Sequence, residues 1–188
     1  MAARFDLAQT LLPILLLSVV WIGLAFDLRQ RRIPNVLTFG AAATGIAVQT
    51  ALLGATGLLM ALTGLGVGLV ILLPGYLLRA TGAGDVKLMA ATGTFLGPYW
   101  ILVAGVISIL VGALIAAAFA ASTLISRTSP APWQRYGLML KTLATTGRAS
   151  YVAPAETEVM GRKFPFAIAV ALGTTLTLVL WQPALAAG

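Results

Sequence analysis

Six mostly apolar runs, over about residues 10–26, 36–53, 58–78, 84–97, 100–125 and 164–181, succeed one another along the chain. Most approach the roughly 20 residues that a helix needs to cross the hydrocarbon layer of a bilayer. In lipid every backbone N–H and C=O must be satisfied within the protein, so repeated runs of this length fold as helices packed on helices. The expectation is an all-α polytopic membrane helix bundle of about six transmembrane helices, one domain over 1–188. The fourth run is short for a full crossing, which leaves room for a thin or partly re-entrant segment. Composition agrees: 60% of residues are hydrophobic and 9% charged, against about 25% charged in soluble domains.

Lys and Arg exceed Asp and Glu by 12 − 5 = +7. With most of the chain lacking a hydrated face, that excess reads as membrane orientation, not as a nucleic-acid patch. Placing the 27–35 break in the cytoplasm also places 79–87 and 126–163 there. Eleven of the twelve basic residues then share one side, with Arg4 alone opposite and both termini outside. The apolar run after Arg4 is no secretory signal, because more positive charge follows it than precedes it and five further runs come after. Within the long 126–163 cytoplasmic loop, Trp133, Tyr136, Leu140 and Leu143 recur at helical spacing. They predict one amphipathic helix in the headgroup layer, in contact with membrane lipid. Gly64 and Gly68 have the small-xxx-small spacing of close helix packing.

The chain contains neither histidine nor cysteine. Zinc-thiolate sites, Ser-His-Asp and Cys-His nucleophiles, haem ligation of the usual kind and disulfides are thereby excluded, and no metal or other cofactor is expected. The acids are Asp6, Asp27, Asp85, Glu156 and Glu158. Only Asp27, directly after the first run, and Asp85, at the start of the fourth, sit at the edge of apolar segments, and the topology puts both on the cytoplasmic face. Ionisable groups in such places are functional candidates.

Two carboxylates within hydrogen-bonding reach share one proton and titrate as a unit. One then accepts a proton from water while the other donates to a carbonyl oxygen and the leaving nitrogen, which is what amide hydrolysis needs. Gly82 and Gly84, just before Asp85, allow an extended segment to pass close by. Taken singly, each acid has an ordinary explanation. Asp85 suits a helix N-terminus, and Asp27 suits a counter-ion to Arg29, Arg31 and Arg32. Lys87 reads as a lysine snorkelling to the interface, and Ile33, Pro34 and Asn35 read as a turn into the second helix with no function of its own.

Asp27 followed by Arg31-Arg32-Ile33-Pro34-Asn35, then Gly82-Ala83-Gly84-Asp85-Val86-Lys87-Leu88 with Gly93 and Gly97, resembles the type IV prepilin peptidases. The Lys163–Ala169 stretch, with Pro165 and Phe166, is similar to the segment that opens the last helix of that family. The resemblance implies a Gly-x-Gly-Asp aspartic endopeptidase of the bacterial inner membrane, with Asp27 and Asp85 catalytic and Gly82, Gly84, Lys87, Pro34 and Asn35 supporting the motifs. Its substrate would be a prepilin-like protein, cut at the cytoplasmic face after a short leader, typically following a glycine, with pilus-assembly machinery as a possible partner. The chain lacks the paired Cys-x-x-Cys motifs of the long bifunctional members, so no methyltransferase or zinc-binding portion is expected. It resembles the short branch serving tight-adherence (Flp-type) pili or archaeal preflagellins, the wording of 27–35 favouring the former. Glu156 and Glu158 are candidates to meet the basic leader. Two other readings stand beside this one: a small transporter using the acids for ion binding, and a non-catalytic pilus-assembly factor.

Overall fold

The computed structural model describes residues 2–77, 81–126, 141, 145 and 166–186. All regular structure among them is helical: α1 (Ala2–Gln30), α2 (Asn35–Leu77), α3 (Ala83–Ser126) and α4 (Ala167–Ala186). The chain divides into two compact units, one comprising Met1–Gly112 with Pro165–Gly188 and the other Ala113–Phe164. The second is described over the end of α3 and at Lys141 and Thr145, both helical, where Thr145 Oγ1 donates to the Lys141 carbonyl at 2.8 Å. The expected amphipathic helix, with Trp133, Tyr136, Leu140 and Leu143, lies outside the described residues, as do Glu156 and Glu158.

Helices α2 and α3 are 43 and 44 residues long. Straight helices of that length would reach about 65 Å, twice the hydrocarbon thickness. Both instead break at a glycine with positive φ: Gly54 (φ 64°, ψ −142°) and Gly97 (φ 73°, ψ 177°). These are backbone conformations that essentially only glycine adopts. After Gly54 the chain doubles back, since a Cβ on Gly57 would collide with the Gln49 carbonyl. After Gly97 it doubles back again: Gly97 lies against Met60, whereas Gly105 lies against Ile71. Divided at these two glycines, the described helices comprise segments over 2–30, 35–53, 55–77, 83–96, 98–126 and 167–186. They follow the six apolar runs closely, except that α1 begins upstream of the first.

The segment 83–96 is the centre of the first unit. Every residue from Leu88 to Gly97 is buried, the mark of a helix enclosed by protein on all sides. Its neighbours approach through small residues. The buried stripe of α2 includes Ala41, Gly45, Gly57, Ala61, Gly64 and Gly68. Gly45 faces Thr94, Gly64 faces Gly93 backbone to backbone, and Gly68 faces the Met89 carbonyl. Small residues let helix backbones approach in lipid, where burial of apolar surface gives little drive to associate. Where the helical ladder breaks near Gly97, Gln49 Nε2 donates to the Phe95 carbonyl at 3.0 Å, supplying a buried hydrogen bond at a helix end.

On α1 the buried hydrophobic residues are Leu12, Leu16, Val20 and Leu24, one stripe at four-residue spacing, and α1 packs against both α2 and α4. The outward surface is apolar as well, with Leu59, Leu62, Val70, Leu102, Leu110 and Leu176 exposed. Thr10–Gln30, Asn35–Leu77 and Ala83–Ala118 are each long and apolar enough to cross a membrane. An apolar outer surface around a helical core makes this an integral membrane protein.

The Gly64–Gly93 contact predicts a contrast between two glycines. A Cβ on Gly93 meets the Gly64 carbonyl, so Gly93→Ala should destabilise by about 1–3 kcal/mol or more. Gly66 is exposed with nothing within 4 Å of its Cβ position, so Gly66→Ala should be neutral or stabilise by up to about 1 kcal/mol. Thermal unfolding in detergent measures both, and equal losses would contradict the packing.

Candidate active site

The sequence break between α1 and α2 is short and basic, and its geometry starts from how α1 ends. Arg31 adopts a left-handed conformation (φ 52°), and its N–H donates to the Asp27 carbonyl at 2.8 Å. This is an αL cap, in which the residue after the helix satisfies a carbonyl of the last turn. Glycine is usual there, and an L side chain costs about 1–2 kcal/mol. The cap stops α1 one turn after Asp27 and turns the chain towards α3. Ile33, the one apolar residue between Gln30 and Pro34, is buried, and a Cβ on Gly84 would lie 3.3 Å from the Ile33 Cβ. The Pro34 carbonyl then accepts from Leu37 N–H at 3.1 Å and Thr38 N–H at 3.3 Å, opening α2.

The start of α3 is built by the Gly82 turn. Asp85 N–H donates to the Gly82 carbonyl at 3.1 Å, and the Gly82 N–H donates to Asp85 Oδ2 at 3.0 Å. With Gly82 as N-cap and Asp85 at the third helical position, this is the return half of a capping box. A Cβ on Gly82 would stand 3.1 Å from Asp85 Oδ2, a tight approach. Upstream, Thr81 N–H donates to the Gly75 carbonyl at 3.2 Å, tying this turn to the end of α2.

Two contacts bracket the acids. A Cβ on Gly23 would lie 3.2 Å from both Leu88 Cδ atoms, and Ile33 meets Gly84. The N-terminal contact of one segment thus pairs with the C-terminal contact of the other, so α1 and 83–96 run antiparallel. Asp27 lies between Gly23 and Ile33, and Asp85 between Gly84 and Leu88. Positions four apart on α1 and three apart on α3 share a helix face, so the face that brings Gly23 to Leu88 carries Asp27 towards Asp85. Asp85 is 7% exposed and Asp27 is partly buried.

The supporting residues depart from the expectations in three respects. Lys87 does not simply snorkel: its Nζ donates to Asn35 Oδ1 at 2.9 Å and lies 5.4 Å from the centroid of the Phe39 ring, a cation–π distance. The Ile33-Pro34-Asn35 turn is correspondingly more than a connection, since Ile33 and Asn35 both grip the start of α3. The close approach that Gly84 permits is taken by the chain's own Ile33 in place of a passing segment. Sequence reasoning missed Ile33 and Phe39; a lone apolar residue inside a basic break was the available signal for the first.

Because residues 1–188 hold no cysteine, the bracket can be tested by crosslinking. The Cβ separation at 33 and 84 is within a few tenths of an ångström of the ~3.5–4.5 Å that a disulfide spans. Ile33→Cys with Gly84→Cys should crosslink on mild oxidation in native membranes. No crosslink under conditions that oxidise an accessible control pair would contradict the contact.

No curated protein matches the chain, and no solved structure does. The type IV leader peptidase family does match, over residues 14–117. That is more than half of the chain, and it contains Asp27, Asp85, the capped end of α1, the Ile33–Gly84 contact and the Lys87–Asn35 bond. By this match the chain belongs to the type IV leader peptidase family and is a membrane protease.

Proposed function

We propose that the protein is an aspartic endopeptidase that removes the leader of prepilin-like proteins, with Asp27 and Asp85 as its catalytic pair. The observation that carries this reading is the bracket: the Gly23–Leu88 and Ile33–Gly84 contacts flank, on both chain stretches, the positions of the two acids. Both acids stand at helix ends, Asp27 in the last turn of α1 and Asp85 in the first turn of α3. That favours a peptidase acting at the membrane surface over a transporter, whose ion site would lie near the bilayer midplane.

The chemistry follows from the residue inventory. One carboxylate is ionised and takes a proton from water as the water oxygen bonds to the scissile carbonyl carbon. The other, protonated, donates to the carbonyl oxygen, which relieves the charge developing there. Collapse of the tetrahedral species breaks the C–N bond as the first carboxyl passes its proton to the departing nitrogen, while the second carboxylate takes a proton back from the re-forming carboxyl group, which restores the pair. The leader leaves with a new carboxyl end and the mature pilin with a new amino end. Neither step calls on histidine or a thiol, and the chain has none.

Six crossings with both termini outside put the acids on the cytoplasmic face of a bacterial inner membrane, where the basic residues meet anionic lipid. The lack of cysteine supports leader removal without methylation, as in the short branch that serves tight-adherence pili, with pilus-assembly proteins downstream. Glu156 and Glu158 are proposed to meet basic leader residues.

Asp27→Asn and Asp85→Asn should each lower cleavage of a co-expressed leader-bearing pilin by at least about 1,000-fold, about 4 kcal/mol of barrier. Both variants should still insert in the membrane. Cleavage by either within about tenfold of the parent would contradict the assignment, a loss of under ~1.4 kcal/mol being too small for a member of a catalytic pair.

A further inference from the structure

We infer that residues 31–35 form a strap that sets the resting separation of the two aspartates, with Asn35 and Lys87 as its positioning residues. The inference rests on the catalytic pair proposed above and goes on to say what holds that pair in place. Three ties define the strap. At its start, the Arg31 N–H holds the Asp27 carbonyl at 2.8 Å. In its middle, Ile33 packs on Gly84. At its end, Asn35 Oδ1 accepts from Lys87 Nζ at 2.9 Å. One tie fixes the helix turn that carries Asp27. The other two pin the positions on either side of Asp85.

The bond between Asn35 and Lys87 is the tie that side-chain chemistry can loosen without disturbing the backbone. Lys87 is two positions beyond Asp85, and residues two apart on a helix do not face each other. Its ammonium therefore extends away from the acid, across to the first turn of α2. The Phe39 ring beneath the ammonium holds the stem in that direction. This hydrogen bond from a charged donor lies exposed at the surface and joins two helix starts that differ by 52 positions in sequence. When it is broken, the start of α3 is free to shift relative to the strap and α1, and a shift of about 1 Å in a reacting group can cost 100-fold in rate. Asn35 and Lys87 act on the reaction through Asp85 and touch no reacting atom.

The test uses the full chain in proteoliposomes with a leader-bearing pilin, comparing Asn35→Ala, Lys87→Met, the double variant and Asn35→Asp, with Asp27→Asn as reference. Asn35→Ala and Lys87→Met should each lower kcat about 10- to 100-fold through misplacement of the pair, with KM held within about twofold because substrate contacts are unchanged. The double variant should be no slower than the slower single, the non-additivity of a shared contact. Asn35→Asp should retain kcat within about threefold, since its carboxylate still accepts from Lys87. That retention, together with unchanged thermal unfolding of Asn35→Ala, separates positioning from loss of fold. An unchanged kcat in Asn35→Ala while Asp27→Asn is inactive would overturn the strap and leave the catalytic pair standing. Multiplying losses in the double variant, or a rise in KM alone, would also overturn it. An active Asp27→Asn would overturn the pair itself, and the strap with it.

Discussion

The backbone contact between Gly64 and Gly93 is the constraint on which the arrangement turns. The helical stretch 83–96 is short for a full crossing, and the residues from Leu88 to Gly97 are buried. Lipid supplies little hydrophobic drive for helices to associate, so close van der Waals packing must hold such a segment at the centre. Glycine against glycine, with Gly45 and Gly68 continuing the small-residue stripe, allows that approach. Once the segment is central, the depth of Asp85 is set, and α1 and the turn after it pack against the same end.

Much of this could be read from the residues. The apolar runs announced the helices because lipid tolerates no other open backbone. Gly54 and Gly97 fall between or at the end of successive apolar runs, and few other residues adopt the φ values found there. Asp27 and Asp85 stood out because only five acids occur in 188 residues. The remainder depends on partners distant in sequence. Nothing local to Arg31 announces a left-handed cap, since arginine is no favoured residue there. Lys87 read as snorkelling to the interface, and only the placement of α2 against α3 brings its ammonium to Asn35. The bond from Gln49 to the Phe95 carbonyl likewise exists only once two helices meet.

Under the proposed assignment, Asp85 would serve structure and chemistry together. Its Oδ2 accepts the Gly82 N–H, so the carboxylate is held in a fixed orientation by the helix it opens. A group already oriented loses less freedom when substrate arrives, which is the use of preorganisation in catalysis. The reading of Asp85 as an N-terminal cap and the reading as a catalytic acid are therefore compatible, and the first prepares the second. The strained cap at Arg31 has the same relation to Asp27, trading backbone comfort for a helix that ends one turn past its acid.

The central claim is that the Asp27 and Asp85 side chains meet at one end of the bundle. In the cysteine-free chain, cysteines in place of both acids, with a protease site inserted in the turn at Gly54, report on this directly. Oxidation in native membranes followed by proteolysis should leave the two halves joined until a reductant is added. Halves that separate before reduction, in a preparation where the 33–84 pair stays joined, would contradict the account.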